Sequence, residues 1–321
     1  MRRRSLTAFM IGAALMGCAG RGFDVASTTA RLVTDSSRLA VDGGEIWYRV
    51  TGTGQGTPVM LLHGGPGFSS YYLKSLEALG DDRLVVRYDQ LGGGKSDQTT
   101  DTTKFNIAHF VQELDALREH LDLERVHIYG HSWGTILGVE YYRAHPEHVV
   151  SLTLGSAALD MSAWERNARV LLTTLPDSMQ TAVRVREAEE NYEAPDYQAA
   201  LNEFYGRYVW RRPVLADLDS SMVSFNQAIY MYMQGPSEFT ITGTLKEYDA
   251  KPFLKDIQVP TLYTVGEFDE ANPETTREFA RLTPGSRVVV IPDAAHITSW
   301  DNSTANLDAV RMFLREVDAR R

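Results

Sequence analysis

From residue 45 onward the chain alternates between two hydrophobic periodicities. Glu45–Val50 alternates between apolar and polar positions, which predicts a half-buried strand. Pro58–His63, Arg83–Tyr88, Val126–Tyr129, Val149–Leu154, Thr261–Val265 and Arg287–Ile291 are short, nearly continuous apolar runs, several ending in glycine-rich turns. Between them, Phe110, Val111, Leu114, Leu117 and Leu121 recur at helical spacing, and a second helix is predicted from the turn after Tyr129 through Arg143. Apolar strands separated by helices imply an α/β fold with a mostly parallel central sheet covered on both faces. Between Ser156 and about Tyr248 the strand pattern stops. That stretch reads as helical and rich in aromatics (Tyr192, Tyr197, Phe204, Tyr205, Tyr208, Trp210, Tyr230 and Tyr232). A helical insertion lying over the carboxyl edge of the sheet, where open α/β sheets bind ligands, accounts for it.

The first residues read differently. Arg2, Arg3 and Arg4 precede an apolar run from Leu6 to Met16, too short to span a bilayer but suited to a signal peptide. The run ends in Leu15-Met16-Gly17-Cys18, which resembles the bacterial lipobox, where cleavage before the cysteine is followed by lipid attachment to its sulfur. Cys18 is the only cysteine among the 321 residues. The expected organisation is a lipoprotein signal peptide over 1–17 and a tether over 18–36. The first part of the core follows over 37–155, the cap over 156–248 and the rest of the core over 249–321. The expected location is the bacterial cell envelope, exported and held by the lipid at a periplasm-facing membrane surface. With no second cysteine, stability must come from a packed core and not from disulfides. The net charge of −10 disfavours nucleic acid as a partner.

The chemistry concentrates in one pattern. Gly130-His131-Ser132-Trp133-Gly134 joins a predicted buried strand to a predicted helix. In that context it is a nucleophile elbow, whose glycines admit a turn too tight for side chains. A serine needs a base, and the base needs an orienting acid. Both stand after later strands, in the chain order such elbows require. Gly266-Glu267-Phe268-Asp269-Glu270 follows Thr261–Val265, and Pro292-Asp293-Ala294-Ala295-His296 follows Arg287–Ile291. His296 is the only histidine after the last strand, and Asp269 sits at a better loop depth than its rivals Glu267 and Asp293. An oxyanion hole requires two backbone N–H donors. Trp133, just after the nucleophile, and Gly65, in His63-Gly64-Gly65-Pro66-Gly67, are the candidates. Gly92-Gly93-Gly94-Lys95-Ser96 lacks the first glycine of a phosphate loop, having Asp89 there. Gly52-x-Gly54-x-Gly56 has the wrong spacing for a dinucleotide. No metal spacing and no cofactor motif are found.

Taken together, His63-Gly-Gly-Pro-Gly67, Asp89-Gln90, the Ser132 elbow, Gly-Glu-Phe-Asp269-Glu270 and Ala-His296 resemble the proline iminopeptidases among the α/β-hydrolases. Gly235-Pro-Ser-Glu238-Phe-Thr-Ile-Thr-Gly243 is similar to the branch typified by the tricorn-interacting aminopeptidase. The resemblance runs from about Arg38 to the C-terminus. It implies an α/β-hydrolase fold with a mostly parallel central sheet and the helical cap inserted after the sixth strand. It also implies a serine exopeptidase that releases N-terminal residues, proline preferred and other apolar residues possible in principle, from short peptides through an acyl-enzyme. Ser132, Asp269 and His296 would form the triad, while Glu238 and Glu270 would bind the free α-ammonium of a peptide or amino-acid amide. The alternative is an amino-acid amidase or ester hydrolase using the same triad. One departure stands out: many family members carry Arg after Asp-Gln, where this chain has Leu91.

Overall fold

The computed structural model describes residues 33–214 and 216–320. The expected signal peptide and Cys18 lie outside them. Eight strands form one sheet: β1 (Val33–Val41), β2 (Gly44–Gly52), β3 (Gly56–Leu62), β4 (Arg83–Asp89), β5 (Val126–His131), β6 (Val149–Gly155), β7 (Thr261–Gly266) and β8 (Arg287–Ile291). Their spatial order is β1-β2-β4-β3-β5-β6-β7-β8. β1 pairs antiparallel with β2 and β2 antiparallel with β4; every pairing from β4 through β8 is parallel. β5 and β6 are buried along their whole length because helices cover both faces, which explains their unbroken apolar runs.

β1 was not predicted, and it begins at Val33, inside the stretch 18–36 expected to be a tether. Residues 35–38 are exposed, so this edge strand carries no hydrophobic alternation to read. Its nine-residue register with β2 supplies the order through backbone hydrogen bonds.

The helix Ile107–His120 buries Phe110, Val111, Leu114 and Leu117 against the sheet and is capped by Asn106, whose side chain accepts from the His109 N–H. Among the described residues six helices lie between β6 and β7: Met161–Leu172, Asp177–Ala188, Pro195–Tyr208, Ala216–Val223, Gln227–Met233 and the short Lys251–Leu254. Some of the cap's aromatics pack on each other instead of facing a ligand. Tyr197 and Phe204 are fully buried and stack edge-on against Phe239, with ring centroids 6.1 and 5.4 Å away.

Beside Leu91 a buried acid has a measurable consequence for stability. Leu91 is buried, and its N–H donates to Glu113 Oε2 at 3.1 Å, while Glu113 Oε1 has no hydrogen-bond partner. Burial pushes the Glu113 carboxyl up to about 8 against the single backbone donor. The folded chain therefore holds this proton to about pH 8, whereas an unfolded chain releases it near 4.5. Stability contributed by the protonated form is lost as pH rises across that window. Glu113→Gln keeps an acceptor for Leu91. It should raise the melting temperature more at pH 8 than at pH 5, reflecting a gain on the order of 3 kcal/mol at the higher pH. An equal gain at both pH values, read by calorimetry, would contradict this account.

Candidate active site

The site is assembled from loops at the carboxyl ends of β3, β5, β7 and β8. Ser132 caps the helix Trp133–Ala144 with φ 55° and ψ −125°, a left-handed conformation forced by the sharp strand-to-helix turn. The flanking glycines are required by contact. A Cβ on Gly130 would lie 2.1 Å from the Gly134 carbonyl oxygen, and one on Gly134 would lie 2.2 Å from that of Leu62. The Ser132 N–H donates to the Gly155 carbonyl at 2.9 Å, tying the elbow to the end of β6.

His296 and Asp269 meet as predicted, with Nδ1 2.9 Å from Oδ1. Both are buried. Asp269 accepts three further hydrogen bonds, from Ser156 Oγ at 2.6 Å, Ala271 N–H at 2.9 Å and Gly266 N–H at 3.1 Å. Burial alone would push its carboxyl up. The adjacent His296 and these donors outweigh that effect and hold it below the usual carboxylate range. The rivals are placed elsewhere: Glu267 is exposed and accepts from the N–H of Asp293, itself exposed. Ser156, which sequence reasoning missed, sits just past β6 with φ 50°; its hydroxyl lies within reach of both Asp269 and the His296 carbonyl.

The loop after β3 is clamped by side chains. His63 Nδ1 donates to the Gly64 carbonyl, its Nε2 accepts from the Gln90 N–H at 3.0 Å, and Gln90 Oε1 accepts from Trp133 Nε1 at 2.8 Å. Asp-Gln and HGGPG are thus parts of one buried lattice. Gly64 packs against Ser132, since a Cβ on it would stand 2.9 Å from the serine's. Its N–H is already donated to Tyr72 Oη at 2.7 Å. Gly65 has φ +111°, where a side chain would crowd the Phe68 nitrogen.

Two cavities adjoin Ser132. One of about 180 Å³ is lined by Gly64, Gly65, Ser132, Glu238 and His296, with Phe68, Tyr205, Trp210, Phe225 and Tyr230 from the loops and cap. No hydrogen bond links the Ser132 and His296 side chains, a contact that in unliganded enzymes often forms only with substrate. A narrower one, about 10 Å³, is lined by Gly65, Ser132, Trp133, Ala158, Met161, Trp164, Glu238 and Leu245. Ser132, Gly65 and Glu238 line both. A larger hollow of about 490 Å³ is bordered by Lys74, Arg212, Asp217 and Trp300 and by none of the triad candidates.

Glu238 is half-buried and accepts hydrogen bonds from Tyr230 Oη, from Trp164 Nε1 at 3.1 Å and from Gln234 Nε2 at 3.4 Å. Glu270 is buried with neither oxygen hydrogen-bonded, and it does not line either cavity. Burial raises both carboxyls, and for Glu270 the neighbouring charges of Glu238 and Asp269 add to the shift. Buried carboxyls in each other's field favour a cation nearby.

A second serine–histidine–aspartate line exists and is structural. Ser151 Oγ lies 2.7 Å from His127 Nδ1, and His127 Nε2 lies 3.1 Å from Asp318 Oδ1. Ser151 and His127 are fully buried near the amino ends of β6 and β5, at the other end of the sheet from Ser132. They join the C-terminal helix Ser303–Asp318 to the sheet.

Comparison with known proteins is consistent with this geometry. Residues 57–303 match the family model for the alpha/beta hydrolase fold. A proline iminopeptidase of Heyndrickxia coagulans is 40% identical over 282 residues, covering 87% of this chain and 98% of that protein. The crystal structure of a proline iminopeptidase from Mycobacterium smegmatis superposes with a TM-score of 0.82 at 32% identity, covering 89% of this chain and 99% of that one. VinJ superposes at 0.84 with 30% identity, over 88% and 99% of the two chains.

Proposed function

The chain belongs to the proline iminopeptidase family of α/β hydrolases and is an aminopeptidase by that membership; from this premise we propose that it cleaves N-terminal residues, proline foremost, from short peptides through an acyl-enzyme on Ser132. Ser132 Oγ attacks the carbonyl of the first residue while His296 Nε2 takes its proton. Asp269 holds the imidazole with Nδ1 protonated, so that Nε2 is the free base. The N–H groups of Trp133 and Gly65 receive the oxyanion; Gly64 cannot serve, because its N–H is committed to Tyr72. His296 then returns the proton to the departing amine. Water, deprotonated by the same histidine, hydrolyses the ester.

The observation that carries the exopeptidase reading is the carboxyl pair. Two carboxyls held close together, one of them buried with no hydrogen-bond partner, repel each other, and a cation beside them relieves that repulsion. The α-ammonium of a peptide is the cation such a pair would accept, and an N-terminal prolinium offers two N–H donors for it. Glu238, lining both cavities, would meet the amine directly, and Glu270 behind would add field. The wider cavity, lined by aromatics, suits an apolar residue held beside Ser132. Glu238→Gln is expected to lower kcat/KM for a free prolyl anilide by about 100-fold, as befits a hydrogen bond to a charged group. It should leave N-acetylprolyl anilide at its wild-type rate, however low. Parallel loss on both substrates would remove Glu238 from amine recognition and favour the amidase or ester-hydrolase alternative.

A further inference from the structure

Beyond the groups that would touch substrate, a chain of hydrogen bonds crosses the site from the loop after β3 to the backbone of His296. The Gly64 N–H donates to Tyr72 Oη at 2.7 Å, Tyr72 Oη lies 2.9 Å from His131 Nδ1, and His131 Nε2 lies 2.8 Å from the His296 carbonyl oxygen. Chemistry fixes every direction in this chain. A carbonyl can only accept, so His131 Nε2 carries a proton. Burial first, and the neighbouring His296 second, push the His131 pKa down to about 3, so the ring is neutral near pH 7 and Nδ1 is bare. Tyr72 must then donate to Nδ1, which leaves its oxygen to accept from Gly64. Tyr72 and His131 are both buried, and no polar atom of either side chain is left over. The His131 ring also lies against the His296 ring, with centroids 4.8 Å apart and planes tilted by 52°.

We propose that Tyr72 and His131 are positioning residues that set the distance between the oxyanion loop and the base, acting through Gly64 and through the His296 backbone. The proposal rests on the roles assigned above to Ser132, Gly65 and His296. The oxyanion donor and the base come from opposite ends of the chain, yet both must stand within about 3 Å of reacting atoms in the same transition state. A misplacement near 1 Å costs on the order of 100-fold in rate. Gly64 is pressed against Ser132 on one side and pinned by Tyr72 on the other, so the bridge sets where Gly65 can go. Its neutrality also matters: a charged His131 would oppose the imidazolium that His296 becomes during turnover.

The test is kinetic, on the full chain with prolyl anilide. Tyr72→Phe keeps the ring packed against Phe68 and His131 while deleting the hydroxyl. It is expected to lower kcat by roughly 10- to 100-fold, up to the cost of a misplacement near 1 Å, with KM within about threefold. His131→Gln can still place an N–H toward the His296 carbonyl and should retain more activity than His131→Leu. Adding Tyr72→Phe to His131→Leu should cost nothing further, because the bridge is already cut. If His131→Leu does not fold, the same comparison is made with His131→Gln, where the added tyrosine change should cost less than it does alone. A Tyr72→Phe kcat within twofold of wild type would overturn the proposal, as would fold losses that multiply in the double variant. Ser132→Ala assayed alongside separates the two levels. If it stays active, the site assignment itself fails; if it is inactive while Tyr72→Phe is normal, only the bridge fails.

Discussion

Replacing Ser132 with alanine is expected to lower kcat by about 10⁵-fold or more, the loss found when a serine nucleophile is removed from an intact triad. The fold should survive. Alanine retains the Cβ, so the backbone strain at φ 55° is unchanged, and the Ser132 N–H still donates to Gly155. Melting temperature and kcat therefore separate loss of chemistry from loss of structure. The Gly64 contact is with the serine Cβ and not with its hydroxyl, so the oxyanion loop also keeps its seat. Turnover within tenfold of wild type would show that another group attacks the carbonyl.

Asp269→Asn carries the second-largest expected loss, about 10⁴-fold in kcat, for a reason visible in its contacts. Asp269 faces four donors: His296 Nδ1, Ser156 Oγ, Ala271 N–H and Gly266 N–H. An asparagine has only one oxygen for them. If its NH₂ turns to His296, it donates to Nδ1, the ring proton moves to Nε2, and the base facing Ser132 is lost. If its oxygen turns to His296, the NH₂ confronts Ser156 and Gly266, and buried donors are left unpaired. The first outcome gives a nearly inactive protein in which only the Ala271 N–H loses its acceptor; the second unpairs both Ser156 and Gly266 and lowers the melting temperature further. A variant with kcat within tenfold of wild type would mean that Asp269 does not orient the base.

What could be read from the sequence depended on burial and on chain distance. β3 through β8 were legible because both faces of a parallel sheet are covered, which leaves apolar runs such as Val149–Leu154. β1 was not, because residues 35–38 are exposed and carry no apolar alternation, while its register with β2 rests on backbone pairing. Asp269 and His296 could be chosen because each directly follows a readable strand, and the structure places them in hydrogen-bond contact. Ser156 and Tyr72 gave no such clue, since each meets its partners through folds of the chain: Ser156 reaches Asp269, and Tyr72 reaches His131. His131 lay inside the elbow motif, yet its role depends on a carbonyl 165 residues away. The aromatics counted in the cap divide by burial: Tyr197 and Phe204 form the cap's own core, and Tyr205, Trp210 and Tyr230 face the cavity. Glu270 came from family resemblance. Its burial behind the cavity wall, with Glu238 at the front, is visible only in three dimensions.

The central claim is that this site reads a free N-terminal amine before it cleaves. The most direct measurement compares wild-type hydrolysis of prolyl anilide with that of N-acetylprolyl anilide, with alanyl, leucyl and phenylalanyl anilides beside them to rank the first residue. The account predicts rapid cleavage of the free-amine substrates, proline first, and a loss on the order of 100-fold or more when the amine is blocked, matching the removal of charged hydrogen bonds to the carboxyl pair. Equal rates on the free and acetylated substrates would contradict it and leave an amidase or ester hydrolase in its place.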